Sequence, residues 1–185
     1  MRYPSKHKTE SREKLVRASG ALAKAKGFAA SGIDDLADAA GLTSGAFYKH
    51  FGGKAKLLSA IVETELETTR SRFAAIDARD ESQLLQAIDL YLSLGHVRHP
   101  EAGCILPTLA AEIARAPEET RAAYERALAD LSVVLAEKIG DATIASGIVS
   151  LCAGAVMIAR GLASDDAKRT VLSAARKNAR ALLAR

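Results

Sequence analysis

Apolar residues recur at helical spacing along this chain, with charged and polar residues between them. Leu15, Ala18, Leu22 and Ala25 mark one stripe of a helix from about Glu10 to Lys26, which Gly27 ends and under which Phe28 packs back. Gly20 is an oddity inside that helix, costing ~1 kcal/mol relative to Ala. A short helix follows, with Leu36, Ala37 and Ala40 apolar and Asp34 and Asp35 placed where acids complement the dipole. Gly41 supplies the positive φ of a sharp turn, and Thr43 is a good N-cap for a second short helix. Two short helices joined by a Gly-containing turn form a helix-turn-helix pattern.

Further on, the stripe Leu57, Leu58, Ile61, Val62, Leu66 and Phe73, with Glu65 as its one polar break, predicts a long helix from Lys54 to about Ala78. Leu84, Leu85, Ile88 and Leu92 predict another over Ser82–His96, closed by a break that contains Pro100 and Gly103. A helix over Ile105–Ala114 tolerates Pro107 only in its first turn, and Pro117 with Glu118 and Glu119 opens one that runs to Ile139. Residues 142–159 carry no charge across 18 positions, the lower limit for a membrane span. Thr143, Ser146, Ser150 and the many Gly and Ala residues make the stretch only moderately apolar, so the expectation is a buried helix and no membrane. Ser146, Ser150 and Gly154 share a face that lets a second helix approach closely. Ser164 caps a last helix from Asp165, with Val171, Leu172, Ala175, Ala179 and Leu182 or Leu183 inward. The expected fold is all-α, with about nine helices.

The second helix of the helix-turn-helix unit has the layout of a DNA reader. At about 100° per residue, Phe47 and Phe51 fall on one side as the anchor into the core. Gly45 and Lys49 point the opposite way, while Tyr48 and His50 project to either flank. A helix seated in a major groove uses a small residue for close approach, a long donor for base edges and polar flanks for the phosphate walls.

Composition adds three constraints. Apolar residues make up 49% of the chain but aromatics only 4%, a balance that favours helices over a β-rich fold. Two separated cysteines are too few for a disulfide framework and, with no secretory signal in evidence, suit the cytoplasm. Charge is uneven: up to Lys56 there are 11 Lys and Arg against 5 Asp and Glu, and from Leu57 onward 15 against 17. A basic head on a near-neutral body suggests a polyanion for the head alone. Met1–Thr9, with Arg2, Lys6, His7 and Lys8, reads as a flexible basic arm.

Residues Arg12–Lys54 resemble the N-terminal domain of the TetR family of transcriptional regulators. The resemblance rests on Arg12, Leu15, Val16, Ala18, Leu22 and Gly27-Phe28, then on Ile33, Leu36, Ala37, Ala40, Gly41, Gly45, Phe47-Tyr48, His50-Phe51, Lys54 and Leu57-Leu58. It covers about a quarter of the chain. It implies a helix-turn-helix DNA-binding domain over residues 1–53 and a ligand-binding and dimerisation domain over 54–185, bridged by the helix 54–78. It further implies a double-stranded DNA operator, a small-molecule effector, and a homodimer formed through helices at about 142–162 and 165–184. Expected base contacts are Lys49 and Ser44 with the backbone at Gly45; expected phosphate contacts are Ser31, Thr43, Tyr48, His50 and Lys54. Gly32 stands where the family has a second hydroxyl residue, Ala46 where Thr is common, Ser44 where Lys is frequent and Ala55 where Glu is, so operator preference does not carry over. Lys54 should open a weakly capped helix.

Outside the head, Phe73, Tyr91, His96, Cys104, Tyr124 and Met157 are candidates to line an effector pocket. Cys104 lies just before a helix N-terminus, where the dipole can lower a thiol pKa, so a thiol-based sensor is an alternative. A non-inducible DNA binder or adaptor is another. His96, His99 and Cys104 match no strong zinc spacing, and two solvated histidines in a turn are expected instead, with no metal and no cofactor. No phosphate loop or nucleophile–base set is found, so catalysis is not expected.

Overall fold

The computed structural model describes residues 5–77 and 80–184, with side chains at 8–77, 80 and 82–184. The described chain is all-helical: α1 (Ser5–Lys26), α2 (Ile33–Ala39), α3 (Ser44–His50), α4 (Lys54–Ala74), α5 (Glu81–Tyr91), α6 (Leu94–Arg98), a 3-10 turn at Pro100–Ala102, α7 (Leu106–Ile113), α8 (Glu118–Ile139), α9 (Ala142–Arg160) and α10 (Asp165–Leu183).

Most helix ends follow local chemistry. Thr43 accepts the Ala46 N–H at 3.2 Å and so caps α3, and Ser164 caps α10 through the Ala167 N–H. Gly27 and Gly41 take the left-handed conformation, φ 87° and 63°, that ends one helix and turns the chain into the next. The start of α4, at Gly53, has no side-chain cap.

Four expectations need correction. Residues 5–9 continue α1 rather than forming an arm; Arg2 and the side chains of Lys6 and His7 lie outside the described residues. Helix α4 ends at Ala74, and Ala78 also lies outside them. The segment Ser82–His96 is two helices, because Leu92 leaves helical geometry (ψ 40°) and the Ser93 hydroxyl caps a new start by accepting the His96 N–H at 3.2 Å. Ala25 is exposed; the buried stripe of α1 is Leu15, Val16, Ser19 and Ala23, and it extends to Lys24.

Two apolar cores organise the molecule. One runs without interruption from α1–α3 through α4 into α7 and α8, around Leu15, Leu36, Phe47, Leu57, Ile61, Leu66, Leu109 and Leu131. The other joins α5 and α6 to α9 and α10, around Leu92, Val97, Val156 and Leu172. Helix α9 buries Ala145, Ile148, Cys152, Ala155, Val156 and Ala159. Its Ser146, Gly147 and Ser150 stay exposed, and there is open space beside Gly147 and Gly154.

Candidate DNA-reading helix and effector cavity

Helix α3 is held by its aromatic residues. Phe47 is fully buried, its ring 6.1 Å from Phe51 and edge-on to Tyr48 at 5.2 Å, and the Arg12 guanidinium lies 4.9 Å above the Phe51 ring. Thr43, Gly45, Tyr48 (59% exposed) and Lys49 consequently share the solvent side. The hydroxyl of Ser44 donates to Asp34 on α2, which ties the two helices and turns Ser44 away from a ligand. His50 is half-buried, and its Nδ1 has no partner among the described residues. Burial, then Lys8, Arg12 and Lys49, push its pKa down, so the ring is biased to the neutral form.

Two expected phosphate contacts face elsewhere. Ser31 is buried with its hydroxyl donating to the Gly27 carbonyl at 2.9 Å, and Gly32 takes the N-cap place of α2 instead. Lys54 donates to the Ala29 carbonyl at 3.1 Å and sits 4.9 Å over the Phe28 ring. Its ammonium thus braces the turn after α1.

The body contains a cavity of about 390 Å³ between α4, α5, α6 and the 3-10 turn. Phe73, Tyr91, His96 and Cys104 all line it, with Ile76 and Leu90 adding apolar wall and Arg72 and His99 at its exposed side. Tyr124 and Met157 do not: Tyr124 packs against the first core, and Met157 is 54% exposed on α9. A second space of about 40 Å³ shares Thr69, Phe73, Tyr91 and Cys104 with the first and reaches Cys152 through an apolar interior.

His96 is not the solvated residue expected. Its Nδ1 faces the Tyr91 carbonyl at 2.7 Å and its Nε2 the Cys104 N–H at 3.0 Å, partners that call for the neutral tautomer protonated on Nδ1. Burial lowers its pKa accordingly. With both nitrogens engaged, His96 has no lone pair for a metal, and among the described residues no group of three His, Cys, Asp or Glu could hold one. The Cys104 thiol is pushed up, not down: burial outweighs the Leu106 N–H and the Tyr91 and Thr69 hydroxyls that favour the thiolate. Tyr91 is pushed up by burial as well.

Residues 15–61, which contain α2, α3 and most of the apolar stripe of α1, match the family model described as bacterial regulatory proteins, tetR family. The head of this chain belongs to the TetR family. Over 72 residues it is 33% identical to the HTH-type transcriptional regulator TtgR of Pseudomonas putida, covering 39% of this chain and 34% of that one. Over 136 residues it is 26% identical to an HTH-type transcriptional regulator of Lactococcus lactis, covering 71% and 69%. Thus it spans about a third of the length of the Pseudomonas relative and just over two thirds of the other. In fold it is similar to the reduced form of NemR from E. coli (TM-score 0.78, 19% identity, 94% of this chain and 97% of that one). A TetR-family regulator from Agrobacterium tumefaciens is similar too (TM-score 0.75, 17% identity, 92% and 98%).

These TetR-family relatives are transcriptional regulators, not enzymes. For a TetR-family head, the residues that sequence reasoning missed are the ones that fasten it to the body. Glu112 on α7 accepts the Phe28 N–H at 3.1 Å and the Ala29 N–H at 2.6 Å, and Lys24 reaches across to Glu65. No local sequence signal marks them, because each partner lies far along the chain from the group it holds.

Proposed function

We propose that this TetR-family protein is a cytoplasmic, homodimeric repressor that leaves a palindromic operator when a small molecule enters the cavity beside Tyr91 and His96. Residues 1–53 act as the reading head and 54–185 as the effector and pairing body. The observation that carries the reading is α3 itself: its Phe47 and Phe51 are sunk in the core while Gly45, Tyr48 and Lys49 stand together in solvent. Lys49 reads base edges beside the close approach that Gly45 allows, and Thr43 and Tyr48 serve the flanking phosphates, joined by His50 and Lys54 once DNA draws them outward. In a two-fold dimer the heads meet half-sites about 34–36 Å apart, or a multiple of that.

The effector class follows from the lining. Among the described residues no acid lines the cavity, its walls are Phe73, Ile76, Leu90 and Tyr91, and its rim holds Arg72 and His99, whose ring lies 3.2 Å from Glu101. A neutral or anionic molecule with an apolar body fits, and a cation does not. The raised, buried Cys104 thiol weighs against a thiol-based sensor.

Binding to duplexes selected from a random pool, over a salt series, tests the regulator reading. Selective binding with a steep salt slope is expected, and Lys49→Ala should cost about 1–3 kcal/mol of discrimination at one base pair. Weak binding that is equal on all sequences would replace this reading with an adaptor role.

A further inference from the structure

Lys24, in the last turn of α1, is only 5% exposed. Its ammonium donates to Glu65 Oε2 on α4 at 2.7 Å and to the Gly103 carbonyl at 2.9 Å. A buried lysine needs such acceptors, and these two come from 41 and 79 residues away. Gly103 also lines the cavity, next to Cys104 and against the His96 ring. One ammonium therefore bridges the reading head, the long helix α4 and the cavity wall.

Glycines make room at both ends of this bridge. A methyl group on Gly20 would stand 3.1 Å from Glu65 Oε1 and 3.3 Å from Ile61, so the glycine in the middle of α1 lets the Glu65 carboxylate lie against that helix. A methyl group on Gly103 would stand 2.4 Å from His96 Cδ2 and 2.5 Å from Nε2. The backbone of Gly103, φ −89° and ψ −174°, is one that any residue adopts, so its obstacles to a side chain are the His96 ring first and, at 3.2 Å, the end of the Arg160 side chain. That ring is locked in turn, between the Tyr91 carbonyl and the Cys104 N–H.

We propose that Lys24 is the coupling residue of this protein: it carries movement of the cavity wall at His96–Gly103 into α1 and so into the reading head. This rests on the reading of the cavity as an effector site. A ligand that displaces His96 moves the Gly103 carbonyl. The Lys24 ammonium is held by two acceptors, so it either follows the carbonyl, drawing the end of α1 with it, or gives up one of the two bonds that satisfy a buried charge. Glu112, which holds the Phe28 and Ala29 amides, fastens the following turn to α7 and does not line the cavity.

The test needs no effector, because Gly103→Ala pushes on the wall from inside. The partner variant, Lys24→Met with Glu65→Met, removes both charges and keeps unbranched side chains beside Gly20, a replacement buried ion pairs often tolerate. Thermal unfolding confirms that all four proteins of the cycle fold. Amide hydrogen exchange on the DNA-free protein is then read at Ala23–Gly27. Gly103→Ala should speed exchange there by about fivefold or more in the wild-type background and by less than about twofold in the Lys24→Met, Glu65→Met background. An equal acceleration in both backgrounds, or none in either, overturns the coupling. Because this readout contains no DNA, coupled exchange in a protein that selects no operator would leave the coupling standing and refute the regulator reading. The converse result would refute the coupling alone.

Discussion

Every polar group of His96 is engaged. Its N–H goes to Ser93, its carbonyl accepts from Arg160 at 3.0 Å, and its two ring nitrogens hold Tyr91 and Cys104. Protonation would place a second ring N–H against the Cys104 N–H, donor facing donor. The folded-state pKa of His96 lies below the ordinary value of 6.5. Below that value the unfolded chain takes up the proton first, so the contribution of His96 to stability is whole above about pH 6.5 and is lost as pH falls toward the folded pKa. The melting temperature should therefore fall between about pH 7.5 and 5.5, and His96→Gln should flatten that decline. A profile unchanged by the substitution would mean that His50, whose pKa is also lowered, or other groups dominate the window.

Among the elements, α3 depends on a cap and an anchor. At seven residues it is too short to stand on propensity alone, so the Thr43 cap and the burial of Phe47 hold it in place. Thr43→Ala should cost about 1 kcal/mol, read as a lowered denaturation midpoint with an unchanged slope. Loss of DNA binding without any loss of stability would leave Thr43 its role at the phosphates and remove the cap as a source of stability. This helix was legible in the sequence because its signals are local: a hydroxyl before the first turn and two phenylalanines four apart. The break at Leu92–Ser93 was missed because apolar spacing continues through it, and only the serine two positions before a glycine hinted at a new start. Ser31 was misplaced for a tertiary reason. The left-handed turn at Gly27 brings that residue's carbonyl under the serine hydroxyl, which sequence spacing does not reveal. Lys24 was invisible for the same reason, since both of its acceptors lie far along the chain.

At the scale of the molecule, α9 leaves an apolar side without cover. Met157 and Ile158 are 54% and 55% exposed, and the serine and glycine face of the same helix meets open space. A second copy of the chain is the proposed cover. Sedimentation equilibrium at micromolar concentration should return twice the chain mass, and Ile158→Asp should return the chain mass alone. A wild-type protein that sediments singly would remove the pairing proposal. The two cysteines, each silent in its own core, have a different use. Cys104 belongs to the core that carries the head and Cys152 to the core that packs α9 on α10, and burial pushes the Cys152 thiol up to about 12. The Cys152 sulfur becomes chemically visible only while its core is open, whereas Cys104 is also approached from the cavity it lines. The rate at which a small alkylating reagent finds Cys152 in native buffer therefore reports opening of the α9–α10 core, and slowing at Cys104 alone reports a filled cavity, with no foreign label introduced.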